Sequence, residues 1–289
     1  MSSSVSRHDL FVAGLPVQVY TNGDLSSIKG EVAVLFLLHG RTEFAEKYKS
    51  TAERILTRIT EHEAEGKQEK QLVVVTFDQR NHGHRLTHKL TNGVWIEGNE
   101  RHAIDMYAVY VGTAKDVSFL IDFLPAHIFP SDEAKVVQWL VAGVSLGGHA
   151  TWWSLRHEPR VTLGVPIIGC PNYTNLIKDR AQTSGVDFAP PIAPQTFIDL
   201  LKATDAAQVP YTASDSSNPF LGKKILVLSG KEDRLVPWTS SEEVVSNLNV
   251  GEQGVKKVFV YPGVGHECTA EMIKEAADFV WEYALTAAA

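Results

Sequence analysis

Gly143-Val144-Ser145-Leu146-Gly147 closes a predicted strand, Val136–Val144, and opens Gly147–His157, a segment with helical character that ends before Pro159. The spacing G-x-S-x-G at a strand-to-helix junction has a steric meaning. A tight turn holds the serine in a strained backbone geometry and projects its hydroxyl above a sheet. Side chains two residues before and after would collide, so both positions are glycine. The helix that starts behind the serine adds a partial positive charge and unpaired N–H groups. Ser145 is therefore a candidate nucleophile, and a strand must lie directly before it.

Working outward, short β-rich runs alternate with longer amphipathic ones. Leu10–Val12 and Val17–Tyr20 flank Gly14 and predict an N-terminal hairpin. Val32–Leu38 and Leu72–Phe77 are apolar runs of strand length. Between them, Tyr48 to Ala64 predicts a helix closed by Gly66. Ile104, Tyr107, Ala108, Val111, Ala114, Ser118 and Ile121 keep helical spacing, and Pro125 is expected to stop that helix. Val161–Ile168, Ile225–Leu228 and Lys257–Tyr261 are further strands. Helices are predicted over Trp238–Leu248 and Thr269–Leu285; in the latter Ile273, Ala276, Ala277, Val280 and Ala284 share one face. This alternation predicts an α/β fold: a mostly parallel, twisted sheet with helices on both faces and a ligand crevice at the carboxyl ends of the strands. Pro171–Gly222 breaks the rhythm with six prolines and no strand, and is expected as a lid-like insertion before the Asp233-bearing strand. The whole of residues 1–289 is expected to form one domain.

Three further stretches lie where such a crevice would be. A serine hydroxyl needs a neighbouring base to act as a nucleophile. His266, in Gly263-Val-Gly-His-Glu after the last strand, can reach the crevice from a glycine-flanked loop. The base in turn needs a carboxylate that holds its tautomer and stabilises imidazolium. Asp233, in Ser229-Gly-Lys-Glu-Asp-Arg-Leu-Val-Pro, follows the strand Ile225–Leu228, with Glu232 as the rival acid. His39-Gly40-Arg41-Thr42 follows Val32–Leu38. Backbone N–H groups of Leu146 and Arg41 are the expected oxyanion donors, each worth about 3–4 kcal/mol of transition-state stabilisation.

The His-Gly loop, Asp78-Gln-Arg-Asn-His-Gly, Gly143-Val-Ser-Leu-Gly-Gly, Gly230-Lys-Glu-Asp and Gly263-Val-Gly-His resemble the α/β-hydrolase superfamily over nearly the whole chain from about residue 15. Within it they are most similar to small serine esterases and to the dienelactone-hydrolase-like or prolyl-oligopeptidase-like branch. The chain order Ser, Asp, His is the one expected of that fold. The resemblance implies hydrolysis of carboxylic esters or related acyl bonds without a cofactor. Dienelactone hydrolases carry a cysteine where Ser145 stands, and many lipases carry glycines where Arg41 stands. A short insertion suggests small acyl groups. The same triad also serves peptidases, thioesterases and acyltransferases, and a non-catalytic ligand receptor is the reading from a different class.

Composition narrows the rest. The chain has 289 residues, 44% hydrophobic and 21% charged, with a formal net charge of −7 and no Lys/Arg-rich run. Nucleic acid and anionic membrane surfaces, which select basic patches, are not expected partners. Two cysteines, Cys170 and Cys268, do not imply a disulfide framework, and no secretory segment is read at Met1-Ser-Ser-Ser or targeting signal at Thr286-Ala-Ala-Ala, so a cytoplasmic protein is expected. His82, His84 and His88 are read as a polar loop at the crevice edge, not a metal site. Asp78 and Arg80 are expected to pair or cap the turn, and Trp95 to line the rim. Trp152 is expected in the core, and the Arg41 side chain in solvent.

Overall fold

Nine consecutive residues from Gly30 to Leu38 form strand β3, and from Val32 onward both of its faces are buried, as its unbroken apolar composition requires. Val32, Val34, Phe36 and Leu38 enter one core; Ala33, Leu35 and Leu37 enter the other. β3 is thus a central strand of a sheet packed on both sides. The computed structural model describes residues 5–64, 66 and 68–286. Met1–Ser4 and residues 287–289, on which the terminal readings rest, lie outside the described residues.

Eight strands make one sheet: β1 (Val5–Val12), β2 (Leu15–Asn22), β3, β4 (Gln71–Phe77), β5 (Ala134–Val144), β6 (Val161–Ile167), β7 (Lys224–Gly230) and β8 (Val255–Tyr261). Their spatial order is β1-β2-β4-β3-β5-β6-β7-β8. β1 and β2 are the predicted hairpin; β2 also runs antiparallel to β4, and every other pairing is parallel. The chain steps from β3 outward to β4, then back across β3 to β5. That reversal is a switch point, where loops on either side splay apart and leave a crevice. Leu38 of β3 pairs with Gly143 of β5, so the loops holding Arg41 and Ser145 leave the sheet side by side.

Helices α1 (Lys49–Glu63) and α7 (Ala270–Val280) cover one face through Ala52, Ile55, Leu56, Ile59, Met272, Ile273, Ala276, Ala277 and Val280. The other face carries α2 (His102–Ile128) and α3 (Leu146–His157), with Trp152 fully buried. The segment 171–222 holds α4 (Tyr173–Thr183) and α5 (Gln195–Thr204), and α6 (Glu242–Asn247) follows β7. No described helix is long and apolar enough to cross a membrane.

Some local expectations are corrected. Pro125 does not end α2, which runs one further turn to Ile128. The proline removes only the hydrogen bond to Ile121, while burial of Leu124 and Ile128 holds the last turn in place. The buried stripe of α2 also differs from the predicted one: Tyr110 and Val117 are inside and Ala108 is exposed. Trp238–Leu248 is not one helix. A single turn, Trp238–Ser240, precedes α6: the Ser240 and Ser241 N–H groups bond back three residues, to the Pro237 and Trp238 carbonyls, and the Ser240 carbonyl lies 3.2 Å from the buried Cys170 sulfur.

Candidate active site

Ser145 is the joint between β5 and α3, at φ 54° and ψ −108°. A non-glycine residue held at positive φ stores about 1–3 kcal/mol and persists only where its surroundings dictate it. Here they do. A Cβ on Gly143 would lie 2.2 Å from the Gly147 carbonyl oxygen, and one on Gly147 would lie 2.3 Å from that of Leu38. The Ser145 N–H donates to the Ile167 carbonyl at 2.9 Å, tying the turn to the end of β6. The predicted reason for both glycines is therefore visible as close backbone approach.

Ser145 Oγ lies 2.8 Å from His266 Nε2, and His266 Nδ1 lies 2.7 Å from Asp233 Oδ2. The other carboxylate oxygen of Asp233 accepts the N–H groups of Leu235 (2.8 Å) and Val236 (2.9 Å). The Asp233 side chain is 1% exposed and that of His266 20%. With Nδ1–H donating to Asp233, Nε2 is left as the acceptor that faces the serine hydroxyl. The two loops are held together by contacts between their backbones. A Cβ on Gly230 would lie 2.3 Å from the Gly265 carbonyl oxygen, and Glu232 N–H donates to Val264 O at 3.0 Å. Glu232, the rival acid, accepts Gly263 N–H at 2.7 Å and braces the loop from outside the relay.

Arg41 and Leu146 both border the cavity above Ser145. Neither backbone N–H has a protein acceptor among the described residues, whereas the Gly40 N–H is taken by Glu43 and Tyr48. The His39-Gly40 turn is set by buried contacts that sequence reasoning missed. His39 Nε2 accepts Gln79 N–H at 2.9 Å, its Nδ1 donates to Gly40 O at 2.8 Å, and the Gln79 carboxamide donates to the His39 carbonyl. Burial holds the His39 imidazole neutral, pushing its pKa down to about 4. Only the adjacency of His39 and Gln79 at the ends of neighbouring strands, a tertiary fact, brings these groups together.

The cavity measures about 480 Å³. Val94, Trp95 and Ile96 form one rim, as expected for Trp95. Leu176 and Arg180 of α4 form the facing wall, and Leu235, Val236 and Pro237 extend from the Asp233 loop. The Arg41 side chain is not simply in solvent: it is half-buried and donates to the Asn92 carbonyl at 2.8 Å. Asp78 does not pair with Arg80. Its carboxylate caps Ala45 N–H and His84 N–H at 2.8 and 2.7 Å, and Arg80 pairs with Asp116. His82 is buried against His39, and His84 is exposed beside Asp78. Among the described residues no three His, Cys, Asp or Glu side chains come within metal-binding reach of each other.

No protein-family model matches the chain, and no curated protein sequence matches it. Solved structures do resemble it. An acetyl xylan esterase from Thermoanaerobacterium is 19% identical, with a TM-score of 0.63 over 98% of this chain and 84% of that one. The protein TT1662 from Thermus thermophilus is 18% identical, with a TM-score of 0.62 over 96% and 97% of the two chains. Est1E from Butyrivibrio proteoclasticus, solved with ferulic acid, is 14% identical, with a TM-score of 0.59 over 95% and 98%. End-to-end likeness at these scores, with the strand order described above, shows that this chain has the α/β-hydrolase fold.

Proposed function

We propose that this protein is a serine hydrolase that cleaves carboxylic esters with small acyl groups through an acyl-enzyme. The observation that carries this reading is the unbroken chain from Ser145 Oγ through His266 to Asp233, at 2.8 and 2.7 Å, opening into a cavity. His266 Nε2 takes the Ser145 proton as Oγ attacks the acyl carbon. Leu146 and Arg41 N–H groups receive the developing oxyanion. His266 then protonates the leaving alcohol. Water, deprotonated by the same nitrogen, releases the acid and restores Ser145. Asp233 stays ionised throughout and stabilises the imidazolium. No step calls for a cofactor.

A cavity of about 480 Å³ lies toward the small end of ligand sites, which supports short acyl chains. In this reading residues 1–289 act as one hydrolase domain, with 171–222 as a lid-like cover whose α4 walls the cavity. Esterases of similar length match this chain nearly end to end, whereas the peptidases that resemble it do so over less than half of their own chains, which favours an ester over a peptide. The unpaired thiols of Cys170 and Cys268 support placement in the cytoplasm.

The test is turnover of p-nitrophenyl esters of increasing acyl length, with Ser145→Ala as control. Wild type is expected to favour acetate and butyrate and to be labelled by a fluorophosphonate probe. Ser145→Ala is expected to fall to the buffer rate with an unchanged melting temperature. Near-wild-type turnover by the folded variant would overturn the assignment.

A further inference from the structure

Three arginines, Arg41, Arg180 and Arg234, border the cavity that holds Ser145, against a single acidic residue, Asp179. Among the described residues no carboxylate oxygen lies within 4.0 Å of any of the three guanidiniums. Half-buried Arg58 and Arg85 are paired, with Asp278 and Asp116, whereas Arg156, away from this cavity, is held by the backbone carbonyls of Asp205 and Ala203. Arg41 and Arg180 are half-buried too, but neutral groups hold them. Arg180 Nη2 donates to the Leu235 carbonyl at 2.7 Å, and Nη1 donates to His102 Nε2 at 3.1 Å and to Met106 Sδ at 3.3 Å. Arg41 Nη1 donates to the Asn92 carbonyl at 2.8 Å.

These anchors orient the guanidiniums without cancelling their charge. His102 is tuned to the same end. Its Nδ1 donates to the Gly93 carbonyl at 3.0 Å, which leaves Nε2 as the lone pair that Arg180 needs. Burial, then the charges of Arg180 and Arg41, push its pKa down to about 3, so it stays a neutral acceptor. Burying an unpaired charge is costly, and a ligand anion is the natural compensation.

We infer that Arg180 and Arg41 form an anion subsite and that the favoured substrate is an ester bearing a free carboxylate, such as the monoester of a dicarboxylic acid. This rests on the esterase reading and adds the substrate class. Arg180 is a specificity residue: its guanidinium takes the carboxylate as a charge-assisted hydrogen bond while the ester carbonyl sits at Ser145.

The experiment compares kcat/KM within two pairs of esters by proton release. Monomethyl glutarate against methyl pentanoate places the charge on the acyl side. O-acetyl-lactate against isopropyl acetate places it on the leaving side. One charged ester is expected to exceed its neutral partner by about tenfold or more, the range of a charged hydrogen bond. The advantage should shrink as salt rises. Arg180→Met should cut that ratio at least about fivefold, and Arg180→Lys should restore part of it. A wild-type preference absent from both pairs overturns the subsite while leaving the esterase reading intact. If wild type cleaves none of the four esters, turnover of p-nitrophenyl butyrate decides the esterase reading, and calorimetry with glutarate decides the subsite alone. Binding by wild type that is weakened in Arg180→Met upholds it; equal binding or none overturns it.

Discussion

Replacing Asp233 with asparagine exchanges one carboxylate oxygen for NH₂ and, on the proposed mechanism, should nearly abolish turnover. Asp233 Oδ1 accepts two backbone N–H groups, from Leu235 and Val236, at 2.8 and 2.9 Å, while Oδ2 accepts one, from His266. An asparagine must choose which side its NH₂ faces. Facing the backbone would oppose two donors with a donor, at about 1–3 kcal/mol for each buried group left unpaired. Facing His266 opposes only one, and that conflict is relieved if the imidazole moves its proton from Nδ1 to Nε2. The amide therefore turns its oxygen to the backbone and its nitrogen to His266. In that tautomer Nε2 carries a hydrogen and donates to Ser145 Oγ, so it has no lone pair to take the serine proton. The expected loss is about 10⁴-fold in kcat, or about 5 kcal/mol, the scale known for the same change in a Ser-His-Asp protease. Stability should barely move, because all three hydrogen bonds survive. The assay is kcat for p-nitrophenyl butyrate beside the urea midpoint, with Glu232→Gln as control, expected within about threefold of wild type because the Glu232 carboxylate accepts Gly263 N–H, a bond that a glutamine oxygen keeps. An Asp233→Asn enzyme within about tenfold of wild type would refute the tautomer argument.

Two further outcomes follow from buried groups and close contacts. His39, His102 and His149 are held neutral by burial, at about 4, 3 and 4, against an ordinary 6.5. The unfolded chain takes up these protons first. Their contribution is therefore complete above about pH 6.5 and is lost as pH falls towards and through about 4, with a slope of up to about 1.4 kcal/mol per pH unit for each histidine. The urea midpoint should fall steeply between pH 6.5 and 4.5; a flat profile would contradict the burial argument. Gly147→Ala places a Cβ 2.3 Å from Leu38 O and 2.9 Å from His39 O, backbone against backbone. It should lower stability by about 1–3 kcal/mol and depress turnover by displacing Ser145, and an unchanged midpoint with full activity would count against the reading of the elbow.

Much of the candidate site was legible before any coordinates, because its determinants are local. A tight turn after a buried strand needs glycines two residues on either side of Ser145. A strand followed by a loop acid, and another followed by a glycine-flanked histidine, mark Asp233 and His266 through chain order alone. The alternation of apolar runs and helical spacing predicts the parallel sheet for the same reason: each run must bury the faces it presents. What tertiary structure decided is everything made by contact between distant segments. Pro125 could sit inside α2 because Leu124 and Ile128 are buried by their neighbours. The predicted helix over Trp238–Leu248 is divided into a tight turn, packed against Cys170, and the short α6. Asp78 turned to Ala45 and His84, not to Arg80. No periodicity marks Arg180, since α4 lies in a segment without strands to register it. Only its folding back over the strand ends brings that charge beside Arg41, where His102, Asn92 and Leu235 hold both arginines with neutral oxygens and nitrogens. Backbone sterics are written in neighbouring residues; the electrostatic character of the cavity arises from charges that become neighbours only in the folded chain.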